Sequence, residues 1–132
     1  MDVTQRYVEW LYARLSGDTQ LMALALGGVH ENVAPAGTVD PYIVFSMVDN
    51  HDVNAVGQTR ALTESEWDVK AVREGTSYTT LAPIAARIDA LLHDVLGGVV
   101  ISSHRTATIR YPEYTGGASY RHLGGTYRVQ IQ

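Results

Sequence analysis

The stretch Pro41-Tyr42-Ile43-Val44-Phe45-Ser46-Met47-Val48 decides how the chain is read. It is the most apolar run made of β-favouring residues, because Tyr, Ile, Val and Phe suit a pleated, half-buried surface. A proline just ahead of them fits a strand start, where no ladder amide is lost. Successive side chains of a strand point to opposite faces. Ile43, Phe45 and Met47 therefore share one face, and Tyr42, Val44, Ser46 and Val48 share the other. Both sets are largely apolar, so the run reads as an interior strand covered on both sides.

Downstream, residues 49–58 (DNHDVNAVGQ) are polar and rich in turn formers, which predicts a loop. Residues 61–72 then show the cleanest alternation in the chain. Glu64, Glu66, Asp68 and Lys70 fall on one face, and Thr63, Ser65, Trp67, Val69 and Ala71 on the other. The pattern predicts a long strand with Trp67 in the core and an acidic row outside. Ten to twelve residues at about 3.3 Å each reach roughly 35–40 Å, longer than a usual strand. Part of this hairpin is therefore expected to project.

Upstream, Val3, Tyr7, Trp10, Leu11, Arg14 and Leu15 recur at helical spacing, with Asp2 as N-cap and Gly17 as stop. Asp18 caps a short second piece carrying Leu21, Met22, Leu24, Ala25 and Leu26, and Gly27-Gly28 ends it. Residues 29–34 read as a short edge strand and 35–41 as a loop. Beyond a turn at 73–78, Thr79 or Thr80 is expected to cap a helix whose stripe runs from Leu81 through Ile84, Ile88, Leu91 and Leu92 to Val95 and Leu96. Pro83 sits in its first turn, where a missing amide costs nothing. Gly97-Gly98 is expected to end it. Residues 99–110 read as a strand, 111–118 as a loop and 119–131 as a closing strand in which Gly124-Gly125 marks a bulge or a close backbone approach. The expected class is α+β: a mostly antiparallel sheet of about four strands, two amphipathic helices on one face, and a long projecting hairpin, in one domain over 1–132.

At 132 residues the chain can bury a core without cross-links, and it has no cysteine, which excludes disulfides and thiolate chemistry. No signal-peptide pattern opens it, and no apolar run approaches the ~18–20 residues of a membrane helix, so a soluble protein is expected. Net charge is −4, which argues against non-specific nucleic-acid binding. That charge is divided. Residues 1–98 hold six Lys/Arg against thirteen Asp/Glu, or −7, while residues 99–132 hold Arg105, Arg110, Arg121 and Arg128 against Glu113, or +3. Arg forks pair carboxylates at two points and are favoured at interfaces.

Catalytic signals are thin. His51-Asp52 and His93-Asp94 are adjacent pairs without further ligands, and His93 near a helix end suits the helix dipole. Asp49, His51 and Asp52, with Asn50 and Asn54, could hold a divalent cation in a small metal-dependent enzyme, although the spacing matches no calcium loop. Four Gly-Gly pairs form neither a dinucleotide fingerprint nor a phosphate loop. Paired Glu64 and Glu66 read first as an exposed acidic face. His104, Arg105 and Arg110, with Tyr120, Arg121, His122 and Arg128, form a basic and aromatic set better suited to a protein interface than to nucleic acid.

The order of features resembles a known family. An N-terminal helix and a short apolar helix lead to Gly-Gly-Val, followed by Val33-Ala34-Pro35-x-Gly37-Thr38-x-x-Pro41-Tyr42-Ile43-Val44-Phe45. A long hairpin with a Trp in its second strand, the helix LAPIAARIDALL, a second Gly-Gly-Val and a closing strand complete the order. The chain resembles the tail-terminator (tail-completion) proteins of long-tailed bacteriophages and prophages over nearly its whole length. The resemblance implies an α+β subunit of a ring, typically a hexamer, at the head-proximal end of the tail tube. It implies contacts with the major tail tube protein and a head-completion or neck protein, and no enzymatic activity or cofactor. The expected place is the virion tail or neck, reached from the host cytoplasm, with no membrane contact. DNA would pass through the ring without specific recognition. Neck and head-closure proteins are the near alternative. Residues expected at the interface are Asp49, Asn50, His51, Asp52 and Asn54, the row Glu64, Glu66 and Asp68, and Arg105, Arg110, Arg121 and Arg128.

Overall fold

The computed structural model describes residues 2–54, 56–57 and 60–132, without the side chains at 60 and 61. The order is α1 (Val3–Ser16), α2 (Thr19–Leu24), β1 (Val29–Glu31), β2 (Tyr42–Asn54), β3 (Arg60–Glu74), α3 (Ala82–Leu92), β4 (Val95–Gly97), β5 (Val100–Thr115) and β6 (Ala118–Ile131). One sheet takes the strands in the order β1-β2-β3-β6-β5-β4. β1 runs parallel to β2, and every other neighbouring pair is antiparallel.

All three helices contribute to a core on one face of this sheet. Tyr7, Leu11 and Leu15 of α1, Leu21 of α2, and Ile84, Ile88 and Leu92 of α3 meet Ile43, Phe45, Trp67, Val69, Tyr127, Val129 and Ile131. The indole of Trp67 sits between Phe45 and Tyr7, at ring distances of 5.9 and 6.2 Å. Its N–H donates to Ser65 Oγ at 2.7 Å, and the Tyr7 and Thr63 hydroxyls share a 2.7 Å hydrogen bond. The polar atoms carried into the core thus keep partners, which removes the cost of burying them.

The helix boundaries follow from capping. Asp2 accepts from the Thr4 amide at the start of α1. Asp18 accepts from the Leu21 amide at the start of α2 and also receives both Nε and Nη2 of Arg87, at 2.9 and 2.7 Å. A short helix that could not stand alone is thereby tied to α3. The Arg87 hydrogen bonds hold the Asp18 carboxyl down at about 2.

Several expectations are corrected. The sheet has six strands instead of about four, because β1 and β4 each add a three-residue border. α3 stops at Leu92, not at Leu96. Asp94 takes a positive φ of 54° and Ser103 Oγ caps the Leu92 carbonyl at 2.6 Å, so Val95 and Leu96 pass into β4. Neither Thr79 nor Thr80 caps α3. Leu81 holds that place without a side-chain bond, and Thr80 instead accepts from Arg73.

The polar run 49–58 is not a loop up to Asn54, because ladder pairing with β3 satisfies its backbone whatever its side chains are. Positions 55 and 58 of that run, and the following residue 59, lie outside the described residues. Residues 111–118 are likewise mostly strand: β5 and β6 pair down to Thr115 and Ala118, and Gly116-Gly117 turns the chain with φ of 60° and 78°. Two positive φ values in succession are what a two-residue hairpin of native twist requires. The fold therefore has two long hairpins, pointing to opposite ends of the sheet. β2 is covered on both sides only in its first half, where Ile43, Val44 and Phe45 are buried; Met47 and Val48 are 46% and 55% exposed.

Gly124 marks a close approach without a bulge. A β-carbon there would lie 2.1 Å from the Val69 carbonyl oxygen and 2.6 Å from Lys70 Cα. Gly124→Ala is expected to lower stability by roughly 1–3 kcal/mol through overpacking, as read by chemical denaturation; an unchanged midpoint would refute the close approach. The Asp18 contacts make a second prediction. A carboxyl held at about 2 against an ordinary value of 3.8 adds stability that is complete above 3.8 and is lost as pH falls from there towards 2. Asp18→Ala should lower the melting temperature at pH 7 and flatten its dependence on pH between 4 and 2.

Candidate subunit and tube interface

The sheet face away from the helices carries the acidic row. Register aligns Asp49, Glu66, Arg128 and His104 across four strands, and His51, Glu64, Gln130 and Ser102 in the next row. Arg128 Nη2 lies 3.0 Å from Glu66, and its Nε lies 3.7 Å from Glu64. His51 bridges Glu64 at 3.2 Å and Asp49 at 3.0 Å. Gln130 donates to Glu64, Ser102 donates to Gln130 at 2.8 Å, and Thr126 donates to Asp68 at 2.7 Å. The row is therefore stitched within its own chain, and Arg128 belongs to it.

Strand alternation separates Asp52 from Asp49 and His51. Asp52 pairs with Thr63 and so shares the helix-side parity, whereas Asp49 and His51 sit with Glu66 and Glu64. Among the described residues no group of three or more His, Asp or Glu could hold a metal ion. The Asp49/His51/Asp52 ligand set is thus divided between two faces, and that enzyme reading loses its geometry. Asn50 and Asn54 continue the same strand towards the hairpin tip.

The same alternation divides the basic set. His104, Tyr120, His122 and Arg128 face with the acidic row, while Arg105, Arg110 and Arg121 face the helix side. Arg105 lies 3.5 Å from Asp89, which also accepts from the Tyr127 hydroxyl at 2.9 Å. Arg110 stacks 3.8 Å over Tyr78, and Arg121 lies 5.8 Å from both Tyr78 and Tyr114. Arg73 reaches Thr80 nearby. Among the described residues Arg73, Arg110 and Arg121 have no carboxylate within 4 Å. His93 is a positional residue: its Nδ1 accepts the Arg105 amide at 3.0 Å, joining the end of α3 to β5.

A groove of about 530 Å³ on the open face, lined by Tyr42, Val44, Lys70, Tyr111, Glu113 and His122 among others, was not foreseen. Tyr111 stacks on His122 at 4.4 Å, His122 meets Glu113 at 2.7 Å, and Lys70 donates to the Tyr111 hydroxyl at 2.6 Å. Alternation carried through 111–115 would have placed Tyr111 and Glu113 beside His122; treating that stretch as a loop hid it. Burial pushes the His122 imidazole below its ordinary value, with Glu113 opposing. The His122 bond in turn holds Glu113 below the usual carboxylate range.

Fold and surface define a class: an α+β protein with two extended hairpins, a sheet face of paired charges, and an arginine patch at the far end. The family model for tail completion protein gp17 matches residues 9–132, and the chain belongs to that family. It is accordingly a structural protein family of the virion tail, located at the tail or neck. No curated protein matches the chain. A solved structure, described as the virion of a native gene transfer agent particle, shares the fold with a TM-score of 0.67 at 18% identity, over 92% of this chain and 90% of the other.

The depressed His122 makes a prediction about pH. A histidine whose folded value lies below 6.5 adds stability that is complete above 6.5 and is lost as pH falls below it. The melting temperature should fall between pH 7 and 5, and His122→Gln should make that decline shallower. An identical slope in the variant would show that His122 does not titrate this way.

Proposed function

We propose that this protein forms a ring at the head-proximal end of the tail tube, ends tube growth there, and presents the surface to which the head is joined. The observation that carries the reading is the match of a tail-completion family over residues 9–132. A ring needs two different, complementary surfaces on each subunit, since only heterologous contacts close into cycles larger than a two-fold dimer. Two unlike surfaces support the reading: Asp49, Glu64, Glu66 and Asp68 lie along one sheet face, and at the opposite end Arg110 and Arg121 have no carboxylate partner among the described residues.

Six copies is the stoichiometry we favour, with the whole chain acting as one domain. The outer partners are the major tail tube protein on one side and a head-completion or neck protein on the other. The β2–β3 hairpin, with Asp49, Asn50, His51, Asp52 and Asn54, docks on the tube. Glu64, Glu66 and Asp68 face arginines of a neighbouring copy. Arg105 and Arg128 hold those surfaces from within, through Asp89 and Glu66. DNA passes through the opening without specific contacts, and the role requires no catalysis.

The test is joining of purified heads and tails in the presence of this protein, with negative-stain imaging of the tube end. Wild type should add a ring to the tube and restore joining. Glu66→Arg with Asp68→Arg, and separately a two-residue turn in place of 55–59, should leave folded protein whose joining falls at least tenfold. A wild-type protein that never associates with tubes, or one that binds only the head vertex, would overturn the reading in favour of a neck component.

A further inference from the structure

We propose that copies of this chain join side by side through β1 of one copy and the uncovered stretch of β5 in the next, with Val29 opposite Arg110 and Glu31 opposite Thr108. The proposal rests on the ring reading and supplies the contact by which the ring closes.

The two borders of the sheet are cut in complementary steps. β4 lies outside β5 only at Val100 and Ser103, and His93 takes the Arg105 amide just below. From 106 to Pro112, among the described residues, β5 has a strand neighbour on one side only. At the other border β1 lies outside β2 at Ile43–Phe45, and from Ser46 onward β2 is uncovered among the described residues. Such borders are templates for another chain. Register puts these features on common levels. Val29 is level with Ile43, Ala71, Leu123 and Arg110. Glu31 is level with Phe45, Val69, Gly125 and Thr108. Val95 of β4 is level with Ser103, Val129, Ser65 and Asn50. Two copies set side by side without stagger therefore place β1 of one against the uncovered part of β5, and β4 of the other against the uncovered part of β2. β4 and β1 then stand end to end in one column between the two sheets. The step on one border is the counterpart of the step on the other, which selects a second copy as the occupant.

The backbone groups agree with this register. The Gly28 carbonyl accepts from the Ile43 amide at 2.9 Å, and the Asn32 amide donates to the Phe45 carbonyl at 2.8 Å. Even-numbered residues of β1 thus face β2, and alternation turns the backbone groups of Val29 and Glu31 outward. In β5, Pro112 lies opposite Arg121 and has no amide to give the ladder, so its nitrogen faces away from β6. The same alternation turns Arg110 and Thr108 outward. The two outward pairs are equally confined. Gly28 and Asn32, both at positive φ, flank Val29 and Glu31, while the Arg105/Ala107 bulge and Pro112 flank Thr108 and Arg110. β1 is parallel to β2, and three antiparallel steps separate β2 from β5. The new pair is accordingly antiparallel, and the contact is heterologous, as a ring needs.

Faces and charge agree as well. Val29, Glu31, Thr108 and Arg110 share the helix side of the sheet, and His30 and Ile109 share the open face. Glu31 and Arg110 then stand diagonally across the new pair, about 7–8 Å apart and within reach of long side chains. Among the described residues neither has an oppositely charged partner within 4 Å.

The chain has no cysteine, so introduced thiols report proximity cleanly. Directly opposed residues of an antiparallel pair sit about 4.5–5.5 Å apart, within disulfide range. Glu31→Cys and Thr108→Cys proteins, mixed on tail tubes and oxidised, should give a linked pair that neither gives alone. The double variant should give a ladder ending at the ring size. Thr108→Pro removes an outward amide, so it should keep the wild-type melting curve while assembly falls at least tenfold. Three results overturn the contact: linkage of either single variant with itself at equal yield, stronger linkage of Thr108→Cys to Asp49→Cys than to Glu31→Cys, or wild-type assembly by Thr108→Pro. Capture of tube protein in place of a second copy, by a benzophenone maleimide on Thr108→Cys, overturns it too and assigns that border to the tube. In each case wild-type rings on the same grids preserve the ring reading. Absence of wild-type rings overturns both.

Discussion

The rest of the structure depends on how Trp67 is held. Its indole lies on the central strand pair, between Phe45 of β2 and Tyr7 of α1. A side chain of this size, fully buried, brings three separate parts of the chain to one place. Because a strand alternates, fixing Trp67 inward also fixes Glu64, Glu66 and Asp68 outward. A one-residue slip would put carboxylates against α1 and the indole in water. The hydrophobic requirement of the core thus sets the register of the acidic face, with no separate device needed for it.

The helix side and the open face differ in what they leave for other molecules. The helices cover only the middle of the sheet, so both hairpins outrun them, and the ends carry Met47 and Val48 in one direction and Tyr114 in the other. On the open face the acidic row is largely answered by Arg128, His51 and Gln130. At the Gly116-Gly117 end Arg110 and Arg121 lie over aromatic rings, and Arg121 also donates to Ser119 Oγ and the Tyr120 carbonyl, with no carboxylate within 4 Å among the described residues. Stacking reduces the freedom an Arg side chain must surrender on meeting a carboxylate. The two ends of the sheet are thus chemically unlike, one acidic and internally paired, the other arginine-rich and aromatic.

Much of the fold was legible from residue patterns. The span 3–16 with its Asp2 cap, the Asp18 cap, and the inward set Thr63, Ser65, Trp67, Val69 and Ala71 all appear as read. The errors share a cause. Residues 49–54 and 111–115 look like loops by composition, and Val95-Leu96 look like a continuing helix stripe. In each place the backbone follows a neighbouring strand's hydrogen bonds over its own side-chain preference. The candidate site suffered in the same way. Asp49, His51 and Asp52 are neighbours in sequence but lie on two faces, while Lys70, Tyr111 and His122 are far apart in sequence and meet in one groove.

The sequence by itself determined most of the residues that enter the core, where the first two helices begin, and that charge is split between the first 98 residues and the last 34. Those properties are local: they follow from periodicity, capping groups and counts. Only the tertiary structure decided, among the described residues, which charges are already paired, which strand borders stay open, and which arginines remain without a carboxylate. These depend on register across β2, β3, β6 and β5, which joins residues up to some seventy positions apart. Pairing energy between such residues has no local trace in the chain, since either partner alone would look like an ordinary surface charge.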